Sequence, residues 1–197
     1  MLANPISLPV ERLVPDPELF AHKSDLHGQQ HVARVTILGF LLIERLEIPQ
    51  LAPPLWAACY LHDLGRLHDG RCIEHGNAAI ELFENTIQLR QLFAQGGVKD
   101  EDYEGVYTAV INHCLPQELP TGHPHRQLTA LLKDADGLDR VRLGDLDQSF
   151  LRFDTSRPLI PFAQALYDAT QWSIPTGPAY MTRIWPVSQD VARRYAL

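Results

Sequence analysis

Apolar residues recur along this chain at spacings of three and four, the period of helices that bury one face, and nowhere alternate for more than a few residues. Leu55, Ala58, Cys59 and His62 stand at i, i+3, i+4 and i+7, and Val106, Ala109, Val110 and His113 repeat the arrangement. The pattern predicts a long central helix over residues 24–46, with His31, Val35, Leu38 and Leu42 on one stripe and apolar residues nearly all round from Val35 to Ile43. Pro49, Pro53 and Pro54 break the chain before a second helix that ends at His62-Asp63, where Gly65 can terminate it. A third helix is expected over 74–93, with His75, Ala79, Leu82 and Thr86 on one face and Gly96-Gly97 stopping it. A fourth is expected over 101–114 and a fifth over 128–138. Short helices at 150–153 and 161–170 follow. Pro5, Pro9, Pro15 and Pro17 predict an extended arm lying on the surface, and Pro175, Pro178 and Pro186 predict an irregular tail. The fold class is therefore all-α, a helical bundle over residues 21–147 with an arm at 1–20 and a C-terminal extension at 148–197.

Composition narrows the function. The chain has 197 residues, 45% of them hydrophobic, which is enough for one sizeable core. A formal charge of −7 and the absence of any run of five or six basic residues argue against general nucleic-acid or acidic-membrane binding, and leave small phosphorylated ligands open. Three cysteines, Cys59, Cys72 and Cys114, without CxxC spacing, point to reduced thiols in a cytoplasmic protein. The first residues lack a basic segment followed by an apolar core, and the longest apolar run is too short to span a bilayer. Nothing fixes the oligomeric state.

What changes the picture is the polarity of certain buried positions. His31, His62 with Asp63, His75, His113 and Asp136 all fall on or beside stripes that helices should bury, each on a different predicted helix apart from the adjacent pair. One such histidine is ordinarily satisfied by a carbonyl or a water. Five helices each carrying one require several independent accidents, whereas one metal centre accounts for them together, because imidazole and carboxylate suit first-row ions. Helical bundles build such centres from facing helices.

These residues resemble the HD superfamily of metal-dependent phosphohydrolases, whose signature is His, then His-Asp, then a distant Asp, on an all-α domain. His31 in His31-Val32-Ala33-Arg34-Val35 takes the first position, His62-Asp63 in Leu61-His62-Asp63-Leu64-Gly65-Arg66 the doublet, and Asp136 in Asp134-Ala135-Asp136-Gly137-Leu138-Asp139 the last. His75-Gly76 and Asn112-His113 fall where two-metal members add histidines. The resemblance covers about residues 25–145. It departs from many relatives in having Arg66 where they have Lys, and from some in lacking one more histidine near His113. Asp136 is preferred over Asp134 and Asp139, which lie about 160° and 60° away around a helix of 100° per residue; Asp139 remains a candidate to support a ligand.

The resemblance implies one or two divalent transition-metal ions (Mn, Fe, Co, Ni or Zn) and hydrolysis of a small phosphoester or phosphoanhydride, nucleotide-like in size. The implied ligands are His31, His62, Asp63 and Asp136 for one ion, and His75, His113 and a bridging Asp63 for a second. Arg66, four residues beyond His62, and Arg140, four beyond Asp136, are expected to meet phosphoryl oxygens, with Asp63 and Arg66 at the catalytic centre. His27, four residues before His31, is a substrate-side candidate. Two other readings use the same residues: a diiron oxygenase, whose ligand pattern in this superfamily is alike, and a non-catalytic, metal-bound sensing module.

Overall fold

The computed structural model describes residues 2–171 and 174–196. The described residues form helices α1 (Gln29–Arg45), α2 (Ala52–Leu61), α3 (His75–Glu84), α4 (Ile87–Gln95), α5 (Tyr103–Asn112), α6 (Arg126–Leu138), α7 (Ile160–Thr170) and α8 (Tyr180–Arg194), with short 3-10 turns between them and no strand. The all-α reading therefore holds. α1 is the axis: it is buried on every side from His31 to Ile43, and it packs on α2 and α6, while α5 closes the bundle against α2, α3 and α6. Gly39 lets α2 approach closely, since a Cβ there would lie 3.3 Å from Leu55 Cδ2 and 3.5 Å from Cys59 Sγ.

Several elements differ from expectation. The central helix starts at Gln29 rather than near residue 24, because the Ser24 hydroxyl accepts hydrogen bonds from the Leu26 and His27 N–H groups at 3.0 and 2.9 Å. That local turn competes with the helix. The expected helix over 74–93 is two helices. Asn85 and Thr86 bond back to the carbonyls of Glu81 and Leu82, ending α3, and α4 starts afresh at Ile87. The face that α3 buries is accordingly His75, Gly76, Ala79 and Phe83, with Leu82 and Thr86 only half-buried.

Two corrections concern the ends. The arm does not lie on the surface: Leu2, Ile6, Leu8, Leu13, Val14 and Phe20 are all buried in the common core. The Leu13 carbonyl accepts the Trp56 indole N–H at 2.8 Å, so an apparently loose segment is tied to the middle of α2. The tail is irregular at Pro175 and Pro178, as expected, but not at Pro186, which α8 passes through. Proline in a helix interior costs about 3 kcal/mol by removing an N–H. Burying Met181, Ile184 and Val191 along one stripe returns about 1.5–3 kcal/mol each, and Thr182, whose carbonyl loses its partner, is solvent-exposed. Burial wins. Residues 150–153 are not a helix: a 3-10 turn covers Gln148–Phe150, after which the Arg152 and Phe153 N–H groups donate to the buried Asp134 carboxylate.

Two glycines bring the histidine-bearing helices together. A Cβ on Gly65 would lie 2.4 Å from the His75 carbonyl oxygen, and one on Gly76 2.5 Å from the Val110 oxygen, so α3 touches the end of α2 on one side and α5 on the other. Gly65 thus serves close approach more than helix termination. Gly76→Ala is expected to cost about 1–3 kcal/mol in urea unfolding, by wedging α3 away from α5. Unchanged stability would show that the contact yields freely.

Candidate metal centre

α2 ends where its apolar stripe reaches His62, and the chain then turns tightly, with Leu64 N–H on the Leu61 carbonyl and Arg66 N–H on that of Asp63. This turn swings Asp63 into the bundle beside His62. α1 supplies His31 from its first turn, α3 begins at His75, α5 is capped by His113, and α6 brings Asp136 on its last turn. The six residues expected as ligands meet in one place.

The orientation of the imidazoles is the informative feature. His62, His75 and His113 each direct Nδ1 at a backbone carbonyl three residues earlier, those of Cys59, Cys72 and Val110, at 2.8, 2.6 and 2.6 Å. A carbonyl only accepts, so Nδ1 carries the proton in all three rings. His31 directs Nδ1 at Asp139 Oδ2, 2.7 Å away. All four rings therefore present Nε2 to a common centre. There, His31 Nε2 lies 3.1 Å from His62 Nε2, and His75 Nε2 lies 2.9 Å from His113 Nε2. Two lone pairs at such distances repel unless a proton or a metal ion supplies positive charge beside them. The donor set itself thus fits a cation.

Asp63 stands between the two imidazole pairs. Its Oδ2 is 3.4 and 3.5 Å from Nε2 of His31 and His62, and its Oδ1 is 3.2 and 3.9 Å from Nε2 of His75 and His113. Asp136 Oδ1 faces His31 Nε2 at 3.2 Å. The donor atoms form two groups able to hold an ion, His31 with His62 and Asp136, and His75 with His113 and Cys114. Cys114 was not among the expected ligands. Its signal in the sequence was adjacency to His113, which helical periodicity does not register.

Electrostatics agree with a cation site. Burial and Arg142 oppose protonation of His31, but hydrogen bonds with Asp136, Asp139 and Asp63 outweigh them and raise its pKa to about 9. Burial lowers the His62 pKa to about 3, keeping that ring neutral. Burial pushes the Asp63 and Asp136 carboxyls up, yet the surrounding imidazoles hold both well below the usual range. Asp139 is drawn down to about 2 against its own burial, chiefly by the charge of Arg34.

Asp139 supports a ligand without facing the centre. It accepts Arg34 Nε and Nη2 at 2.6 and 3.0 Å, and it fixes the tautomer and tilt of His31. Asp139→Asn is expected to weaken metal binding by about 10–100-fold in chelator competition. Unaltered affinity would show that His31 needs no such anchor.

The expected substrate-side residues are less uniform. Arg66 is mostly buried and donates Nε to Asp63 Oδ1 at 2.7 Å, so it orients the carboxylate. Arg140 is exposed and paired with Asp145 on the rim of a cavity of about 300 Å³ that also touches His113 and Asp136. His27 lies edge-on to His31, ring centres 6.0 Å apart, with its Nδ1 3.2 Å from Asp69; burial lowers its pKa. It belongs to neither donor group. Among the described residues no helix is long and apolar enough to cross a membrane. No family model matches the chain, and neither the curated proteins nor the solved structures contain a match to it.

Proposed function

We propose that this chain is a metal-dependent hydrolase of a small phosphoester or phosphoanhydride, of the HD-superfamily kind. The observation that supports this most is the convergence of four Nδ1-anchored imidazoles on the two oxygens of one buried carboxylate. His31, His62, Asp63 and Asp136 would hold one ion, and His75, His113 and Asp63 a second. Imidazole and carboxylate in this proportion suit Mn, Fe, Co, Ni or Zn. Such ions lower the pKa of bound water towards neutrality and offset charge on phosphoryl oxygens.

The chain's own residues supply orientation and a cleft. Arg66 pins Asp63 from outside, also donating Nη1 to the Gly70 carbonyl at 3.3 Å, which ties the 66–74 loop to the centre. In the cavity beside His113 and Asp136, three cations have different freedom. Lys133 is buried and spent on the carbonyls of Leu115 and Gln117 at 2.9 and 2.7 Å. Arg152 is held by Glu118. Arg140 is engaged only in a half-exposed pair with Asp145, and such pairs contribute about 0–1 kcal/mol. A substrate phosphate can displace Asp145 at little cost, which makes Arg140 the cation available to it.

The test is metal analysis of protein purified without chelator, followed by panels of phosphomonoesters, phosphodiesters and phosphoanhydrides with added Mn, Co, Ni or Mg. Metal-dependent phosphate release is the expected result. Oxygen consumption by an iron-loaded protein without phosphoester turnover would favour the oxygenase reading instead. Tight metal with no turnover of any kind would favour a sensing module.

A further inference from the structure

We propose that the Cys114 thiolate is a ligand of the half-site formed by His75 and His113. The two halves of the centre then share the Asp63 carboxylate but differ in chemistry, one completed by the Asp136 carboxylate, the other by sulfur. This inference rests on the metal-centre reading but not on which reaction the centre performs.

His113 caps α5 and is anchored to the Val110 carbonyl, and Cys114 follows it directly, just past the helix end. The donor atoms of His75, His113 and Cys114 all lie within 4.8 Å of one another. Cys114 Sγ lies 3.2 Å from the carbonyl oxygen of Ile73, and His75 Nδ1 lies 2.6 Å from that of Cys72. Consecutive carbonyls thus hold the thiol and the imidazole side by side, on the segment that leads into α3. Among the described residues Cys59 and Cys72 join no comparable group of donors.

The thiol is also replaceable where it now bonds. An S–H is a weak donor, and Ile73 is an exposed residue, so water can take over its carbonyl when the sulfur turns to an ion. On binding, the S–H proton leaves to solvent and the sulfur–metal bond forms with the thiolate pair, releasing one proton per ion. Two imidazoles with a thiolate favour zinc, ferrous or cobaltous ions over magnesium and manganese, which prefer oxygen. The half-site of His31, His62 and Asp136 carries no sulfur and keeps a broader choice.

Cobalt(II) tests this directly, because thiolate ligation produces a sulfur-to-cobalt charge-transfer band in the near ultraviolet. The band is expected in the wild-type chain and in Cys72→Ser, and it should vanish in Cys114→Ser with at least a tenfold weaker second cobalt site. Should Cys114→Ser fold poorly, as judged by circular dichroism, the wild-type chain supplies a second reading: bound cobalt should slow alkylation of Cys114 at least tenfold, mapped by mass spectrometry, with Cys72 as the internal comparison. Cobalt bound without the band, or a band unchanged in Cys114→Ser, overturns the thiolate. Absence of cobalt uptake overturns both the thiolate and the metal centre. Phosphoester turnover without the band removes the thiolate and spares the hydrolase, and the band without turnover does the reverse.

Discussion

Asp63→Ala is expected to strip the centre of metal and abolish turnover while leaving a folded helical protein. Its carboxylate is almost wholly buried and faces both imidazole pairs, with one oxygen towards each. Removing it leaves four Nε2 atoms with no anion between them and frees the Arg66 guanidinium, which adds positive charge where an ion would sit. Groups that only support a ligand are worth about 10–100-fold in affinity, so the loss here should exceed about 100-fold. Metal per chain after gel filtration is the measurement, with far-ultraviolet circular dichroism confirming the helices. Wild-type metal content in this variant would remove Asp63 from the centre.

The second large effect separates two carboxylates on the same helix. Asp136→Ala should lose metal as Asp63→Ala does, yet cost the metal-free protein less than Asp134→Ala does, because its side chain is 30% exposed and faces His31 alone among the imidazoles within ion-pair reach. Asp134→Ala should do the opposite. Asp134 is fully buried and accepts from the Arg152 and Phe153 N–H groups and from Ser156 Oγ at 2.6 Å, so it fastens the 151–156 segment to α6. Leaving those donors unpaired is expected to cost about 3–5 kcal/mol in chemical denaturation, with metal binding largely kept. The reverse ranking would mean that the ligand had been assigned to the wrong aspartate.

Much of this site was legible in the chain because helical period alone puts a histidine at the end of a buried stripe twice, at His62 and at His113, and the structure buries both. Asp139 was legible as a supporting group from its angle to Asp136, and it does hold His31. The break at Asn85–Thr86 was not, since it depends on side chains capturing carbonyls that a continuous helix would also use. Nor was α8: a proline taken in isolation argues against a helix, and only the apolar partners along Met181, Ile184 and Val191 outweigh it. Cys114 escaped for a different reason, as it sits just past a helix end, where no period applies. Nor was the bond from Arg66 to Asp63 legible, since the spacing puts Arg66 near the doublet without choosing its carboxylate partner.

The spread of the candidate ligands along the chain, from His31 to Asp136, would make a bound ion a clasp on the folded state. An unfolded chain offers an ion no more than adjacent pairs such as His62-Asp63 or His113-Cys114, so nearly all binding free energy is conferred on the native form. Each tenfold rise in free ion above the dissociation constant then adds about 1.4 kcal/mol of stability. If the centre holds metal, the melting temperature should rise with free ion, and a chelator should lower it towards that of the metal-free chain.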